Sequence, residues 1–291
     1  MNALAAALLV AAAQPQLAQL SEAKLDRKIA AVHAAPAIGD RIAALSKLML
    51  GTPYADYPLG EGGEGPEPQT RFRLDAVDCQ TFVETVLALA NAKDLAEAKI
   101  LLDDIRYAKA PPSFSTRSHF TEAQWLPANI GKGYLREEAR SVDRNAPVAE
   151  LVLSRAEWSK VPALQRLLAA DIPEGRFDIP YLPLAEMKER ARRIPAGSVI
   201  LVVREADPNR VVRVSHMGFV LRGPGGVFVR HASPTDALGH QVVDEPIDAY
   251  LTRMSSFKKW PVQGFGLTLP LDAKGRAAQV LRASQQASKT P

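Results

Sequence analysis

The chain has one cysteine, Cys79, and five histidines, His33, His119, His216, His231 and His240. A thiolate is a nucleophile, and an imidazole is the usual base beside it. Cys79 follows Asp78 at the head of a run, Phe82, Val83, Val86, Leu87 and Ala90, whose spacing predicts a strongly amphipathic helix. Asp is a preferred N-cap, so Cys79 is placed in the first turn. There the partial positive charge of the helix and its free amide donors favour a thiolate and can receive an oxyanion. A lone cysteine can equally be a small buried hydrophobe.

The base must come from the histidines. His216 lies mid-strand in Val-Arg-Val-Ser-His-Met-Gly-Phe-Val, and Val212, Val214, His216, Gly218 and Val220 are expected on one face. His231 lies in the next strand, after the turn Gly223-Pro224-Gly225-Gly226. A turn centred between Pro224 and Gly225 pairs His231 with Gly218 and makes it the diagonal neighbour of His216. A slip of one residue would separate them onto opposite faces. His33, on a surface helix, and His240, in a polar turn, read as inert.

The elements that must hold these groups follow from periodicity. Leu25, Ile29 and Val32 mark one helix and Ile42, Leu45 and Met49 another, with Pro36 between them and Gly51 at the end. A loop rich in Gly, Pro and Glu runs from Tyr54 to Arg71. Asp94 caps a further helix with Leu95, Ala98, Leu102 and Ile105 inward. The segment Pro111 to Arg193 reads as loops, short helices and one or two strands. After Ile194 the period changes to two. Ser198–Arg204, Val211–Arg222 and Val227–Ala232 read as strands, then Gln241–Val243 as a short strand, Ile247–Met254 as a helix and Gln263–Thr268 as a last strand. Helices followed by an antiparallel sheet make an α+β pattern.

Composition bounds the function. The chain has 291 residues, is 47% hydrophobic and carries a net charge of +4. That suits one globular catalytic domain, expected over residues 21–270, and no basic stripe for nucleic acid is seen. One cysteine excludes an internal disulfide framework, and the histidines show no metal-site spacing, so no metal and no cofactor is expected. Leu4 to Ala13 is apolar but far short of the ~20 residues that span a bilayer. It reads as a signal segment, 1–18, with cleavage after Ala13 or Ala18, although its n-region lacks Lys and Arg. The mature chain is then exported, periplasmic and not membrane-inserted. Residues 271–291 are polar and read as a flexible tail.

Four motifs in order carry a resemblance: Gly51-Thr52-Pro53-Tyr54, then Asp78-Cys79-Gln80-Thr81-Phe82-Val83-Glu84, then His216-Met217-Gly218-Phe219-Val220, then His231-Ala232-Ser233. Together they resemble the NlpC/P60 cysteine peptidase and amidase superfamily. Within it, Thr116-Arg117-Ser118-His119-Phe120, with Trp125 and Asn129 following, is similar to the DUF1460 family. The likeness spans roughly Ile42 to Leu267. It implies a papain-like α+β fold, Cys79 as nucleophile, His216 as base and acid, His231 as orienting residue and Tyr54 beside the nucleophile. Gln80 stands where Ser or Thr is commoner, and Thr116 where Ser is.

The resemblance also implies a substrate: the amide between N-acetylmuramic acid, in its anhydro form, and L-Ala of soluble muropeptides. Arg117, Ser118, His119 and Trp125 would line that pocket, Arg117 meeting a carboxylate and Trp125 a sugar face. A place in ordinary loop structure competes for Arg117 and His119, and a place in the core for Trp125. A γ-D-glutamyl-diamino-acid endopeptidase on the same fold is the alternative enzyme, and a peptidoglycan-fragment-binding protein the alternative without catalysis. A monomer is expected.

Overall fold

The computed structural model describes residues 17–63, 66–168 and 171–287. The apolar run Leu4–Ala13 lies outside them. Leu17 is buried in the core, so of the two expected cleavage points only the one after Ala13 would retain it.

Two helices, α1 (Glu22–His33) and α2 (Ile38–Lys47), bury Leu25, Ile29, Ile42 and Leu45. They lie against α3 (Cys79–Asn91) and its antiparallel neighbour α4 (Leu95–Arg106). The Asp94 carboxylate caps α4, accepting from the Glu97 amide at 2.8 Å. In α3 every residue from Thr81 to Asn91 is buried. The expected amphipathic helix is thus a central one, since α1, α2 and α4 cover the sides the sheet does not. Its polar side chains are paired accordingly: Glu84 meets Arg106 at 2.9 Å, and Asn91 Nδ2 donates to the Leu87 carbonyl at 2.9 Å.

A π-helical turn, Thr121–Trp125, leads into α5 (Leu126–Gly131). Then follow β1 (Leu135–Glu137), α6 (Ala139–Val142), β2 (Val148–Leu153), α7 (Arg155–Trp158), β3 (Gly175–Pro183) and α8 (Met187–Arg190). The last part is β4 (Ser198–Arg204), β5 (Val214–Gly223), β6 (Gly226–Ala232), β7 (Val242–Pro246), α9 (Ile247–Ser255), β8 (Val262–Pro270) and α10 (Lys274–Ala287). Among the described residues the strands form one sheet of order β2-β3-β8-β4-β5-β6-β7, with β1 also on β8, and every pairing is antiparallel. The middle segment supplies three strands rather than one or two. Pro180 and Pro183 obscure β3, which tolerates one where its pairing passes from β2 to β8 and the other as its last residue.

One face of the sheet packs on the helical layer through Val199, Leu201, Met217 and Phe219. The other packs on α9 through Ile200, Val202, Val220 and Val229 against Tyr250 and Met254. The expected tail is a correction. Residues 274–287 form a helix, with Ala277 buried and Arg276 Nε donating to Asp104 Oδ2 of α4 at 2.8 Å. No helix among the described residues is long and apolar enough to cross a membrane.

Candidate active site

Cys79 opens α3. Asp78 Oδ1 accepts from the Thr81 amide at 2.7 Å, and Thr81 Oγ1 accepts from the Asp78 amide at 2.9 Å. This reciprocal box fixes where the helix begins and hence where the sulfur sits. The sulfur is within hydrogen-bonding reach of the Met217 amide on β5 and of the amides of Gln80 and Cys79 itself. The expected thiolate is not what this environment stabilises. Burial, then the neighbouring Asp78 carboxylate, pushes the thiol up to about 12, and the amide donors offset only part of that.

The hairpin has the expected centre. Phe219 pairs with Arg230 and Gly223 with Gly226, and one further step of this register sets Gly218 against His231. A Cβ on Gly218 would lie 2.7 Å from His231 Cβ and 2.7 Å from the Arg230 carbonyl oxygen. Only glycine lets the His231 backbone come this close.

The strand carrying His216 is bulged. Val203 pairs with Val214 but Leu201 pairs with Met217, so Ser215 and His216 together face Val202. Val214 and Val220 consequently pack in different cores, correcting the single face expected for them. Val214 also marks the true start of the strand. The buried Glu122 carboxylate of the π-helical turn accepts from the Arg213 and Val214 amides, which are thereby withdrawn from the ladder.

His216 Nε2 and His231 Nδ1 lie 2.9 Å apart, with the rings nearly perpendicular at 88°. His231 is fully buried. Its Nε2 lies 3.1 Å from Glu245 Oε2 on β7. Arg253 of α9 donates to the same carboxylate, Nε at 3.0 Å to Oε1 and Nη2 at 2.5 Å to Oε2. Burial, then the neighbouring His231, Arg253 and Arg204, hold the His216 imidazole well below its ordinary value. Burial also lowers His231, against the pull of Glu245. Burial alone would raise Glu245, but bonds to His231 and Arg253 hold it low. Glu245 and Arg253 escaped the sequence reading. The only available signal was that a strand continued to residue 246 would set Glu245 two positions beyond Val243, the partner of His231.

Tyr54 is half-buried, pairs with Val77 next to Asp78 and meets His240 edge-on at 5.1 Å. Burial and the nearby Cys79, Asp78 and Asp56 raise its phenol, which stays a proton donor at all ordinary pH. His240, read as inert, therefore packs on a candidate site residue. Gln80, the departure after the cysteine, donates from Nε2 to Glu84 Oε1 at 2.9 Å and joins the Glu84–Arg106 pair.

The middle motif sits differently from expectation. Arg117 is 8% exposed and already neutralised, its Nη1 lying 2.6 Å from Glu67 Oε2 and 3.1 Å from Glu61 Oε1. His119 Nε2 lies 2.7 Å from the Phe114 carbonyl oxygen, and burial lowers its imidazole to about 4. Ser118 is buried. Trp125 is fully buried in the core under the helical layer and offers no face to a sugar. What the motif holds is the loop between Tyr54 and Arg71. Arg117 grips its acids, Arg106 Nη2 donates to the Leu59 carbonyl at 2.9 Å, and the Tyr107 hydroxyl donates to the Gly60 carbonyl at 3.3 Å. A cleft of about 670 Å³ beside Leu184, Lys188, Asp248 and Leu251 contains neither Cys79 nor either hairpin histidine.

A family model described as AmiA-like, N-acetylmuramoyl-L-alanine amidase-like, matches residues 44–257. The chain belongs to that family. This amidase-like chain is similar in structure to the DUF1460 protein LPG0564 from Legionella pneumophila, at 25% identity and a TM-score of 0.71 over 86% of this chain and 97% of that one. It is also similar to an N-acetylmuramoyl-L-alanine amidase from Bacteroides uniformis, at 22% identity and a TM-score of 0.63, covering 80% of this chain and 98% of the other. A putative xylanase from Bacteroides fragilis shares the fold at 21% identity and a TM-score of 0.59, covering 77% and 98%. No protein with a curated description matches.

Proposed function

We propose that this chain is a cysteine amidase that hydrolyses the amide joining N-acetylmuramic acid to L-Ala in soluble, anhydro-sugar muropeptides. The observation that carries the reading is the helix-capped Cys79 at the head of α3, which packs on β5, the bulged strand that brings His216 to His231. Membership of an amidase-like family and the Bacteroides uniformis amidase of the same fold support the bond assigned. In this reading the fold is the papain-like one of the NlpC/P60 superfamily.

His216 takes the Cys79 proton as the sulfur attacks the lactyl carbonyl carbon. The oxyanion is met by helix-head amides and the Tyr54 hydroxyl. His216 then returns the proton to the L-Ala nitrogen, the C–N bond breaks, and free stem peptide leaves a thioester on Cys79. Water, deprotonated by His216, attacks the thioester, releasing the sugar acid and restoring the thiol. His231 holds the His216 ring throughout. The protein acts after export to the periplasm, as a monomer.

Digestion of an anhydro-muramoyl tetrapeptide, with products weighed by mass spectrometry, tests the reading. Free anhydro sugar plus intact tetrapeptide is expected. A muramoyl-dipeptide product would place the cut after D-Glu and replace this reading by the endopeptidase. Binding without any product, by fresh reduced enzyme, would leave a fragment-binding protein.

A further inference from the structure

Behind His231 lies a second pair of charged groups that the reaction as described does not use. Glu245 is 5% exposed and is gripped by both Arg253 and His231. We propose that Glu245, locked by Arg253, is a positioning residue that dictates the tautomers of both histidines and so selects Nδ1 of His216 as the catalytic base. The inference rests on the cysteine-amidase reading and extends it by two residues.

Two Arg253 nitrogens on one carboxylate keep Glu245 ionised, and an ionised carboxylate only accepts hydrogen bonds. His231 Nε2, at 3.1 Å from Glu245, must then carry a hydrogen. The competing arrangement, Arg253 Nη2 donating to a bare His231 Nε2, spans 3.5 Å and would set that lone pair against the carboxylate. In a neutral ring, His231 Nδ1 is therefore an acceptor. The 2.9 Å contact to His216 Nε2 requires the hydrogen to sit on His216 Nε2. His216 Nδ1 is left as the unprotonated nitrogen of the ring, which is what a base must offer.

The same chain stabilises the charge that catalysis creates. Once His216 accepts the thiol proton, its Nε2–H points its positive charge through His231 toward Glu245. Other charged groups near the pair are Asp244 on β7, Arg204 on β4 and Arg253 on α9, with the Tyr250 phenol of α9 against His231. Asp244 is occupied by Arg230 at 2.6 Å and so does not substitute for Glu245, while Arg204, donating to Ser215 at 2.7 Å, carries the opposite charge.

Two variants with opposite charge changes test this. Glu245→Gln removes the negative charge that favours the protonated pair, so the acid limb of the rate profile moves to lower pH and kcat falls about 10²-fold with KM little changed. Arg253→Gln removes a positive charge, so the limb moves to higher pH. Reading the limb by iodoacetamide capture of Cys79 needs no substrate, so the proposal survives or fails independently of which bond is cut. Imidazole nitrogen NMR gives the direct readout: His216 is expected as the Nε2–H tautomer in the wild type and as a mixture in Glu245→Gln. Limbs that coincide for wild type and both variants, or His216 in the Nδ1–H tautomer in the wild type, would overturn it. Should Glu245→Gln fail to fold, the Arg253→Gln limb and the wild-type tautomer decide alone.

Discussion

Gly218 faces His231 so closely that a methyl group on its Cα would lie 2.7 Å from His231 Cβ. It would also lie 2.7 Å from the Arg230 carbonyl oxygen, and since both atoms are fixed by the main chain of the paired strand, no flexible side-chain end can yield. Gly218→Ala must push the two strands apart at the point where His231 meets His216. Overpacking of this kind costs about 1–3 kcal/mol. The variant is expected to unfold at lower temperature and to lose at least about tenfold in kcat. Wild-type values for both in Gly218→Ala would mean that the hairpin can shift freely without disturbing the pair.

The base should work in acid below the usual range for histidine. Burial makes the His216 imidazolium costly, and His231, Arg253 and Arg204 add to the cost, which sets its pKa well below 6.5. The neutral base therefore persists as pH drops through 6.5, and kcat/KM is expected to fall only below that point. Stability moves in the same window. The unfolded chain takes up protons on His216, His231 and His119 from about 6.5 downward, while folded His119 resists to about 4. Their contribution to folding is full above 6.5 and is lost progressively toward 4, which thermal unfolding across that range would record. An acid limb in kcat/KM centred at or above 6.5 would identify a solvated base instead.

The resting nucleophile is expected to be a thiol. Burial and Asp78 raise Cys79 to about 12 while burial depresses His216, so the neutral pair outweighs thiolate and imidazolium. The sulfur is deprotonated only as it attacks. Thiolate absorbance in the ultraviolet should be absent at neutral pH and emerge in strong alkali, with Cys79→Ala as the blank. Thiolate absorbance at neutral pH that Cys79→Ala abolishes would show a preformed ion pair.

The hairpin and the nucleophile helix were legible because local signals decide them. A Gly-Pro-Gly-Gly turn fixes the register of two alternating strands, and an Asp N-cap fixes the first turn of α3. The first set His231 beside His216 and the second set Cys79 in the first turn, while the packing of that helix on the histidine strands was implied by the family resemblance alone; β4 runs over Ser198–Arg204 as read. The bulge was not legible, because it depends on how β4 pairs with β5, and β4 lies across a loop. Glu245 was missed because its role comes from β7 joining the sheet beside His231, and the polar run Asp244-Glu245-Pro246 has no strand pattern. The helix terminus favours a Cys79 thiolate locally, and the desolvation that opposes it comes from tertiary packing, which no local signal carries. Trp125 and Arg117 followed the same logic: their residue types suit a ligand, but only packing tells which partners have already taken them.

Arg117 provides the last test, because two roles predict different substrate dependence. An arginine that binds a substrate carboxylate loses affinity only for substrates bearing it. In this structure Arg117 is instead held by Glu61 and Glu67, and with Arg106 and Tyr107 it ties the loop that starts at Tyr54 to the end of α4 and, through Glu84, to α3. Removing it leaves two acids of that loop uncompensated, and breaking a buried ion pair in this way costs about 3–5 kcal/mol. Arg117→Gln is therefore expected to lower kcat/KM equally for a stem with free D-Glu carboxylate and for its amidated counterpart. Limited proteolysis should cut the Tyr54–Arg71 loop faster in the variant than in the wild type. Removing both acids as well, in Arg117→Gln with Glu61→Gln and Glu67→Gln, should recover part of the loss, since no charge is then stranded. A loss confined to the carboxylate-bearing stem, with proteolysis unchanged, would return Arg117 to the substrate pocket.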